Sequence, residues 1–152
     1  PHPARNRGLG PTLGRIGSLE VRLATTAGEI RRAQRLRFEV FYDEMDAVPS
    51  AAARLARRDF DGFDAACDHL LVIDHGVGGK PVVVGTYRLL RQEVAERAFG
   101  FYTADEYDIA PVMRAHAGLR FLELGRSCVL KDYRNKRTVE LLWQGIWAYV
   151  LH

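Results

Sequence analysis

Ionisable side chains within otherwise apolar segments mark the candidate site in this sequence. The stretch Phe121–Leu130 is typical of a buried strand, yet it contains Glu123 and Arg126. Arg88 lies in a second apolar strand, and Arg37 falls near the centre of the apolar stripe of a helix. A charge that faces a core needs partners, because leaving it unpaired costs several kcal/mol. On these residues alone, a structural ion pair and a ligand contact explain Arg37 equally well.

Clustered carboxylates precede the apolar strand that begins at His69. The segment DFDGFDAACDH contains four of them, Asp59, Asp61, Asp64 and Asp68. A calcium-binding loop needs a different ligand spacing and a terminal glutamate, so the pattern does not predict a metal site. Carboxylates at this density suit a cationic partner, either Arg37 or the amine group of a substrate.

The turn from residue 131 to residue 137 is strongly basic and opens directly into a helix. Its cations are Lys131, Arg134, Lys136 and Arg137, against the single acid Asp132. A helix N-terminus already attracts anions through its free N–H groups and its dipole. Because a helix start favours acids, its basic residues need another reason. We therefore interpret the turn as a site for a phosphate-sized anion in preference to a solvated first turn.

Hydrophobic periodicity predicts the elements that position these residues. Their predicted bounds are strand Leu19–Ala24, helix Ala27–Met45, strands His69–Asp74 and Val82–Leu90, helix Gln92–Ala98, strand Phe121–Leu130 and helix Thr138–Leu151. Thr25 or Thr26 suits the start of the first helix. The turn HGVGGKP joins two strands into an antiparallel hairpin. Residues 51–58 fit a short helix or a mobile loop equally well.

Strict alternation along the strands assigns side chains to faces. In the second hairpin strand it places Val82, Val84, Thr86 and Arg88 on one face. In the strand Phe121–Leu130 it places Glu123, Gly125 and Ser127 on one face and Leu122, Leu124, Arg126 and Cys128 on the other. This alternation separates Glu123 from Arg126.

Composition bounds the class of protein. At 152 residues, 47% hydrophobic and 27% charged, the chain fits one globular domain with a sizeable core. The formal net charge is +3, and arginines crowd the first quarter of the chain, so anionic partners are expected. Cys67 and Cys128 lack metal-ligand spacing, which predicts reduced thiols and no structural zinc. Without a signal peptide or a membrane-spanning run, we expect a cytoplasmic protein, at most peripheral at an anionic inner membrane.

The two ends of the chain differ from its middle. Residues 1–18, rich in Gly, Pro and Arg, predict an extended basic arm, and residues 19–152 predict the folded domain. Trp143, Trp147 and Leu151 recur along a helix that is apolar around most of its girth, so we expect cover on more than one side. The sequence therefore predicts either a fragment that lacks C-terminal strands or a partner chain that completes the fold.

From Leu19 onward the chain resembles a known family. The matching segments are LEVRLA, AQRLRFEVFYDEM, RRDFDGFDAACDHLLVID, GTYRLL, GFYTADEYDI, RFLELGRSCVL and YRNKRTVELLWQGIWAYV. They resemble the ornithine N-acyltransferases of ornithine-lipid synthesis, often labelled hemolysins, within the GNAT superfamily of N-acyltransferases. They are also similar to the acyl-homoserine-lactone synthases. The resemblance implies an α/β (α+β) fold with three αβα layers around a mixed, largely antiparallel sheet.

The resemblance also implies roles for the charged residues. Positions that match the lactone-synthase signature, and are implied to bind substrate, are Arg37, Phe41, Asp61, Arg88 and Arg126. Asp59 stands where those enzymes place a glutamate. The implied general base, which takes the proton of the amine, is Glu123, with Asp64 as the second choice. The tryptophan that lactone synthases carry after the phenylalanine is missing from DEMDAVP, which counts against lactone synthesis.

The donor implied by the resemblance is an acyl thioester on a phosphopantetheine arm, with no tightly bound cofactor and no metal. The residues implied to hold it are Ser127, Cys128 and Val129 through their backbone, and Lys131, Arg134, Lys136 and Arg137 through their charges. RNKRTV replaces the superfamily's glycine-rich pyrophosphate loop, which suits acyl carrier protein better than a coenzyme A thioester. The implied reaction moves a 3-hydroxyacyl group to the α-amine of ornithine and gives lyso-ornithine lipid.

Other functions remain as alternatives. An acetyl-coenzyme A-dependent N-acetyltransferase of a small amine and a lactone synthase are the rival enzymes. A membrane-active, hemolysin-like protein is the alternative outside catalysis, but no helix offers a free apolar face for lipid. Nucleic-acid binding is disfavoured, because the arginines are dispersed and several lie on apolar faces.

Overall fold

One antiparallel sheet runs through the part of the chain that the structure, a computed structural model, describes: residue 6, residues 8–76 and residues 78–152. Its strands, neighbours in chain order, are β1 (Gly14–Ile16), β2 (Leu19–Leu23), β3 (Asp68–Asp74), β4 (Val82–Arg91) and β5 (Leu122–Val129). All four pairings are antiparallel. The largely antiparallel sheet is confirmed, and the described residues contribute no parallel pair to it.

Strand β1 lies within the stretch for which an extended arm is expected. It pairs with β2, with Gly14 opposite Val21, and Leu13 and Ile16 pack against the core on that side. The last part of residues 1–18 therefore belongs to the sheet, because its apolar side chains find a core to cover. Residues 1–5 and 7 of the predicted arm lie outside the described residues.

Each long helix begins at a residue that suits a helix start. The helices are α1 (Ala27–Phe38), α2 (Ala51–Ala56), α3 (Gln92–Ala95), α4 (Ala110–Ala115) and α5 (Lys136–Leu151), and a π-helical turn, Glu39–Glu44, continues α1. Thr26 caps α1 in a capping box and Asn135 caps α5. Ser50 caps α2, so the undecided stretch 51–58 is helical up to Ala56. Among the described residues, these helices are all too short or too polar to cross a bilayer.

Helices on both faces of the sheet make three layers. On one face, Leu141 and Ile146 of α5 pack in a cluster with Leu70 of β3. On the other face, Leu36 of α1 packs in a cluster with Leu71 of the same strand. This confirms the three-layer αβα arrangement and places α1 and α5 on opposite sides of β3.

The inner and outer faces of α5 differ. Gly145 lets the helix approach the sheet closely, since a Cβ there would lie 2.6 Å from Val21 Cγ2. On the outer face Trp143 and Trp147 are 57% and 62% exposed. Within the described residues, therefore, only one side of α5 is covered.

The connection from β4 to β5 builds a smaller core of its own. Val94 of α3 and Phe101 cluster with Leu90 and Cys67. Helix α3 is shorter than the predicted helix Gln92–Ala98, because the chain tightens into turns that end at Gly100, whose φ is 80°. This connection covers the end of the sheet at which the charged strand residues lie.

A β-bulge in β4 changes which of its side chains share a face. Val72 and Ile73 are adjacent in β3 but pair with Gly85 and Val83, so Val84 is an extra residue. Val82 and Val84 pack on the α5 side, whereas Arg88 bonds to the acidic loop on the α1 side. The prediction that Val82, Val84, Thr86 and Arg88 share one face is wrong, because the extra residue inverts the alternation.

A second bulge, in β5, affects the candidate site. Arg126 and Ser127 lie opposite the single residue Tyr87, and Arg126 adopts a left-handed φ of 50°. The alternation inverts again, so Glu123 and Arg126 line one cleft and Cys128 packs on the same, α1 side of the sheet. The predicted separation of Glu123 from Arg126 and Cys128 is therefore wrong.

Candidate active site

A buried arginine anchors the acidic loop to α1. Arg37 is 1% exposed, and its Nη2 donates to both carboxylate oxygens of Asp64 at 2.9 and 2.8 Å. Its Nε lies 2.8 Å from Asp59 Oδ2, and Nη2 also donates to the Asp59 carbonyl at 2.6 Å. The position of Arg37 on the apolar stripe is thus explained by two carboxylates that the chain brings over it.

Two further arginines extend this network along the sheet. Arg88 of β4 donates from Nη1 to Asp61 Oδ1 at 2.7 Å and to Asp64 Oδ1 at 3.3 Å. Arg126, on the bulge of β5, lies 3.7 Å from Asp59 Oδ2 and 3.7 Å from Asp61 Oδ2. The three arginines and three aspartates balance one another, which offsets the desolvation of each charge. Arg126 is the most loosely held of the three arginines.

Aromatic rings cover the arginines from two sides. The π-helical turn brings Phe41 under Arg126, 5.5 Å from ring centroid to guanidinium carbon. Tyr102 lies 5.5 Å from Arg126 and 6.0 Å from Arg88 by the same measure. Rings at these distances favour a cation and exclude water from it. They hold the guanidinium groups at the edge of a cleft.

Glu123 is oriented by the backbone of the segment that follows Phe101. Its carboxylate accepts hydrogen bonds from Thr103 N at 2.8 Å and Tyr102 N at 3.3 Å. None of the ion pairs found among the described residues includes Glu123. It is therefore fixed in direction while remaining uncommitted to a cation.

Glu123 and two of the three arginines line one cleft of about 320 Å³, whereas Arg37 and the aspartates lie behind its lining. Its walls include Phe41, Arg88, Tyr102, Glu123, Arg126 and Ser127. A cleft of this size with a few convergent polar groups is typical of a small-molecule site. Because a carboxylate and guanidinium groups line it together, the cleft offers partners for a cation and for an anion, and a group that can accept a proton.

Asp64 is held in its ionised form although it is buried. Burial opposes ionisation of Asp64, but the hydrogen bond and charge of Arg37 outweigh it and hold the pKa of Asp64 below its usual range. Gln34 donates a further bond to Asp64 Oδ2 at 3.0 Å. Asp64 is thus a permanently charged partner of Arg37 and Arg88 at neutral pH.

The basic turn is only partly free to bind an anion. Arg134 donates to Glu44 at 2.7 Å and to the Val129 carbonyl at 2.9 Å, and Lys136 lies 3.5 Å from Glu140. Lys131 and Arg137 are exposed and have no ion pair within the described part of the chain. Two of the four predicted cations are therefore engaged within the protein.

The strand residues implied to hold the donor have separate environments. The Cys128 side chain is buried in the cluster under α1, and burial raises the pKa of its thiol to about 12. Ser127 lines the cleft at the bulge, and Val129 packs on the α5 side. Of these three residues only Ser127 lines the cleft, so any role of Cys128 and Val129 there is limited to their backbone.

Several residues that hold the site were not singled out from the sequence. Tyr42 donates to Asp59 Oδ1 at 2.9 Å, and His69 Nε2 bonds to the Asp64 carbonyl at 3.0 Å. The sequence did contain a signal for Gln34, which shares the buried face of α1 with Arg37. A polar residue one turn before a buried arginine suggests that the two side chains share a partner. Tyr102 had no such signal, because its segment lacks periodicity.

Comparison with known proteins identifies the class. The family model for the acetyltransferase (GNAT) domain matches residues 36–144, a span that runs from the last turn of α1 into α5 and includes the whole cleft. The chain belongs to this GNAT family. In overall fold it is similar to the N-acyl amino acid synthase FeeM from uncultured soil microbes, with a TM-score of 0.58, 14% identity and coverage of 88% of this chain and 65% of that one.

A second solved structure and three curated relatives are also similar to this chain. The AHL synthase LasI has a TM-score of 0.57 and 18% identity over 89% of this chain and 68% of its own. Proteins named L-ornithine N(alpha)-acyltransferase are 57% identical in Rhizobium meliloti, 56% in Agrobacterium fabrum and 58% in Brucella abortus. The matches cover 91%, 96% and 90% of this chain, respectively, and 48%, 50% and 50% of the relatives. The resemblance to that family is confirmed, and the chain spans about half the length of these relatives.

Proposed function

We propose that the protein is an N-acyltransferase that moves a 3-hydroxyacyl group from a thioester to the α-amine of ornithine. The observation that carries the proposal is the cleft in which Glu123 faces Arg88 and Arg126. The names of the relatives at 56–58% identity support ornithine as the acceptor. The product of this reaction is lyso-ornithine lipid.

In this mechanism Glu123 is the general base. The neutral amine attacks the thioester carbonyl carbon, the carbon–sulfur bond breaks, and the proton that the amine loses passes to Glu123, directly or through water, and then to the leaving sulfur. The hydrogen bonds that the backbone N–H groups of Tyr102 and Thr103 donate fix the direction of the Glu123 carboxylate without neutralising it. We assign Asp64, whose lowered pKa makes it a weak base, to holding Arg37 and Arg88.

The bulge and Arg126 supply the remaining interactions. A bulge leaves its extra residue out of the hydrogen-bond ladder, and we assign to the backbone N–H near Ser127 the polarisation of the thioester carbonyl and the stabilisation of the oxyanion. Arg126, whose carboxylate contacts are 3.7 Å long, has capacity to bind the ornithine carboxylate. Arg37, Asp61 and Arg88 keep the acidic loop against the strand beneath them.

For the donor we propose acyl carrier protein. Arg137 lies in the first turn of α5, where free N–H groups favour the phosphate of a pantetheine arm, and Lys131 lies in the turn that precedes the helix. Their exposure suits an acidic protein surface. A coenzyme A thioester is the second candidate, because the matching family model is that of an acetyltransferase domain.

The test offers ornithine together with either 3-hydroxyacyl carrier protein or acetyl-coenzyme A, and identifies the products by mass spectrometry. We expect 3-hydroxyacyl-ornithine from the carrier protein and little acetyl-ornithine from acetyl-coenzyme A. Acetyl-ornithine as the main product would replace the proposed donor. Absence of both products would contradict the proposed function.

A further inference from the structure

A tyrosine behind the charged cleft holds one carboxylate of the arginine network. Tyr42, on the π-helical turn after α1, donates from its hydroxyl to Asp59 Oδ1 at 2.9 Å. Among the described residues this is the one hydrogen bond that the Asp59 carboxylate accepts, since Oδ2 has no aligned donor. Tyr42 does not line the cleft. It can therefore affect a molecule bound there only through the carboxylate that it fixes.

The other oxygen of Asp59 lies between two guanidinium groups. Arg37 Nε is 2.8 Å from Asp59 Oδ2, and Arg126 Nε is 3.7 Å from the same atom. The first distance is that of a close ion pair, whereas the second is too long for a hydrogen bond. Asp59 is thus committed to Arg37 and attracts Arg126 only across a gap.

This gap leaves a buried donor of Arg126 unsatisfied. Arg126 Nε is buried and has no hydrogen-bond partner in the part of the chain that the structure describes. A buried N–H without a partner is unfavourable, so it gains by bonding to any acceptor that rotates into reach. The Asp59 carboxylate becomes such an acceptor if it is free to rotate. The hydrogen bond from Tyr42 opposes that rotation.

The tyrosine hydroxyl keeps its proton at neutral pH. Burial, together with the hydrogen bond to Asp59, raises the pKa of Tyr42 above its usual value of 10. The ring also packs against Phe38, with centroids 5.0 Å apart. Tyr42→Phe therefore removes the hydrogen bond while leaving the packing of the ring in place.

We propose that Tyr42 is a positioning residue that keeps Arg126 available for the carboxylate of the acceptor, by holding Asp59 away from it. The inference rests on the proposed function, in which Arg126 binds the ornithine carboxylate. Without the hydroxyl, Asp59 turns toward Arg126 and competes with the substrate for the guanidinium group. Selectivity for an acceptor with a carboxylate thus depends on a residue that the acceptor does not touch.

Binding measured without a donor tests this role. Ornithine and ornithinamide, in which a neutral amide replaces the carboxylate, are titrated by calorimetry into the wild type, Tyr42→Phe and Tyr149→Phe. Tyr149 is the matched control, because its hydroxyl donates to Asp68 Oδ2 at 2.7 Å from α5, outside the cleft. We expect Tyr42→Phe to weaken the binding of ornithine about tenfold, the effect of one charge-assisted hydrogen bond, and to leave that of ornithinamide nearly unchanged. Tyr149→Phe should change neither.

Equal losses for the two ligands in Tyr42→Phe, an equal loss for ornithine in Tyr149→Phe, or equal affinities of the wild type for both ligands would overturn the inference. Asp59→Asn, with and without Tyr42→Phe, checks the route. Because asparagine has no charge with which to compete for Arg126, replacing the tyrosine should have little effect in that background. A tenfold loss that persists there would also overturn the inference.

An activity measurement separates this inference from the proposed function. With an acyl carrier protein donor, Tyr42→Phe is expected to raise the KM for ornithine about tenfold and to change kcat little. If the wild type acylates ornithine and Tyr42→Phe has the same KM, the inference fails and the proposed function stands. If the binding results are as expected but no acyl-ornithine forms, the role of Tyr42 stands and the proposed function fails.

Discussion

At the scale of single residues, the site divides its carboxylates into two kinds. Asp59, Asp61 and Asp64 are tied to arginines, and removing one partner of such a buried pair typically destabilises a protein by about 3–5 kcal/mol. Glu123 instead accepts two hydrogen bonds from backbone N–H groups and lines the open cleft. Groups of the first kind maintain the shape of the site, and a group of the second kind is available for proton transfer.

Glu123→Gln tests this division. Glutamine keeps the shape and an oxygen to accept from Thr103 N, but it cannot take a proton. We expect kcat to fall by about a hundredfold or more, the usual contribution of a general base, with the KM for ornithine little changed. Steady-state kinetics across pH measure the effect, and Glu96→Gln, an exposed change elsewhere, serves as the control. Rates within a few-fold of wild type would remove Glu123 as the base.

His69 predicts a pH dependence of stability. Burial lowers the pKa of His69 below its ordinary value of 6.5, although the Asp64 carbonyl and carboxylate oppose this. A carbonyl only accepts, so the neutral ring donates from Nε2. Because the unfolded chain binds the proton at higher pH than the folded protein, the free energy of unfolding should fall as the pH drops below 6.5.

Urea unfolding between neutral pH and about pH 5, above the range in which most carboxylates titrate, measures this loss. His69→Gln preserves a donor for the Asp64 carbonyl and should flatten the pH dependence. His116→Gln, at an exposed histidine, should leave it unchanged. A slope that persists in His69→Gln would assign the effect to another group.

At the scale of elements, irregular backbone positions the site. The π-helical turn after α1 directs Phe41 and Tyr42 toward Arg126 and Asp59, and π-helical turns often occur at functional sites. The bulge in β5 turns Arg126 to the face that carries Glu123. Regular helix and strand geometry would have directed some of these side chains elsewhere.

The left-handed backbone of Arg126 makes a testable difference between two variants. At a φ of 50°, any residue with a Cβ is strained by about 1–2 kcal/mol relative to glycine. Both Arg126→Gly and Arg126→Ala remove the guanidinium, so Arg126→Gly should be about 1 kcal/mol more stable than Arg126→Ala by chemical denaturation. At Leu124, in regular strand, the order should reverse. Equal stability of the two Arg126 variants would mean that the bulge relaxes.

At the scale of the whole molecule, sequence patterns predicted most of the elements and the charged residues, and the family resemblance implied the layers, but neither predicted their exact assembly. The periods of α1 and α5 were sufficient to predict these helices, because each buries one face, and β3 was predictable as a short apolar run because both of its faces are buried. The arginines and aspartates were detectable because charge on an apolar face demands a partner. The two bulges and the π-helical turn were not detectable from the sequence, since one added residue leaves the local hydrophobic pattern nearly unchanged. The roles of Tyr102 and Thr103 depend on a nonperiodic segment whose path only tertiary packing determines.

The distribution of charge over the molecule predicts how the donor is recognised. Lys131→Glu with Arg137→Glu should raise the apparent KM for acyl carrier protein and weaken its dependence on salt, because exposed charges mainly accelerate encounter. The kcat at saturating donor should change little. Arg97→Glu is the control. Arg97 is also exposed and follows the C-terminal end of β4, whereas the basic turn lies near the N-terminal end of that strand. Donor kinetics that match the control would exclude docking at the basic turn.

The outward orientation of the tryptophans determines how unfolding of this protein can be followed. Both tryptophans of the chain lie on the solvent side of α5, so we expect their emission to be that of a hydrated indole and to change little when the sheet unfolds. The thiols of Cys67 and Cys128 are buried in two different clusters and become reactive only when those clusters open. Rates of thiol alkylation would therefore time the opening of the α1 layer and of the β4–β5 connection separately.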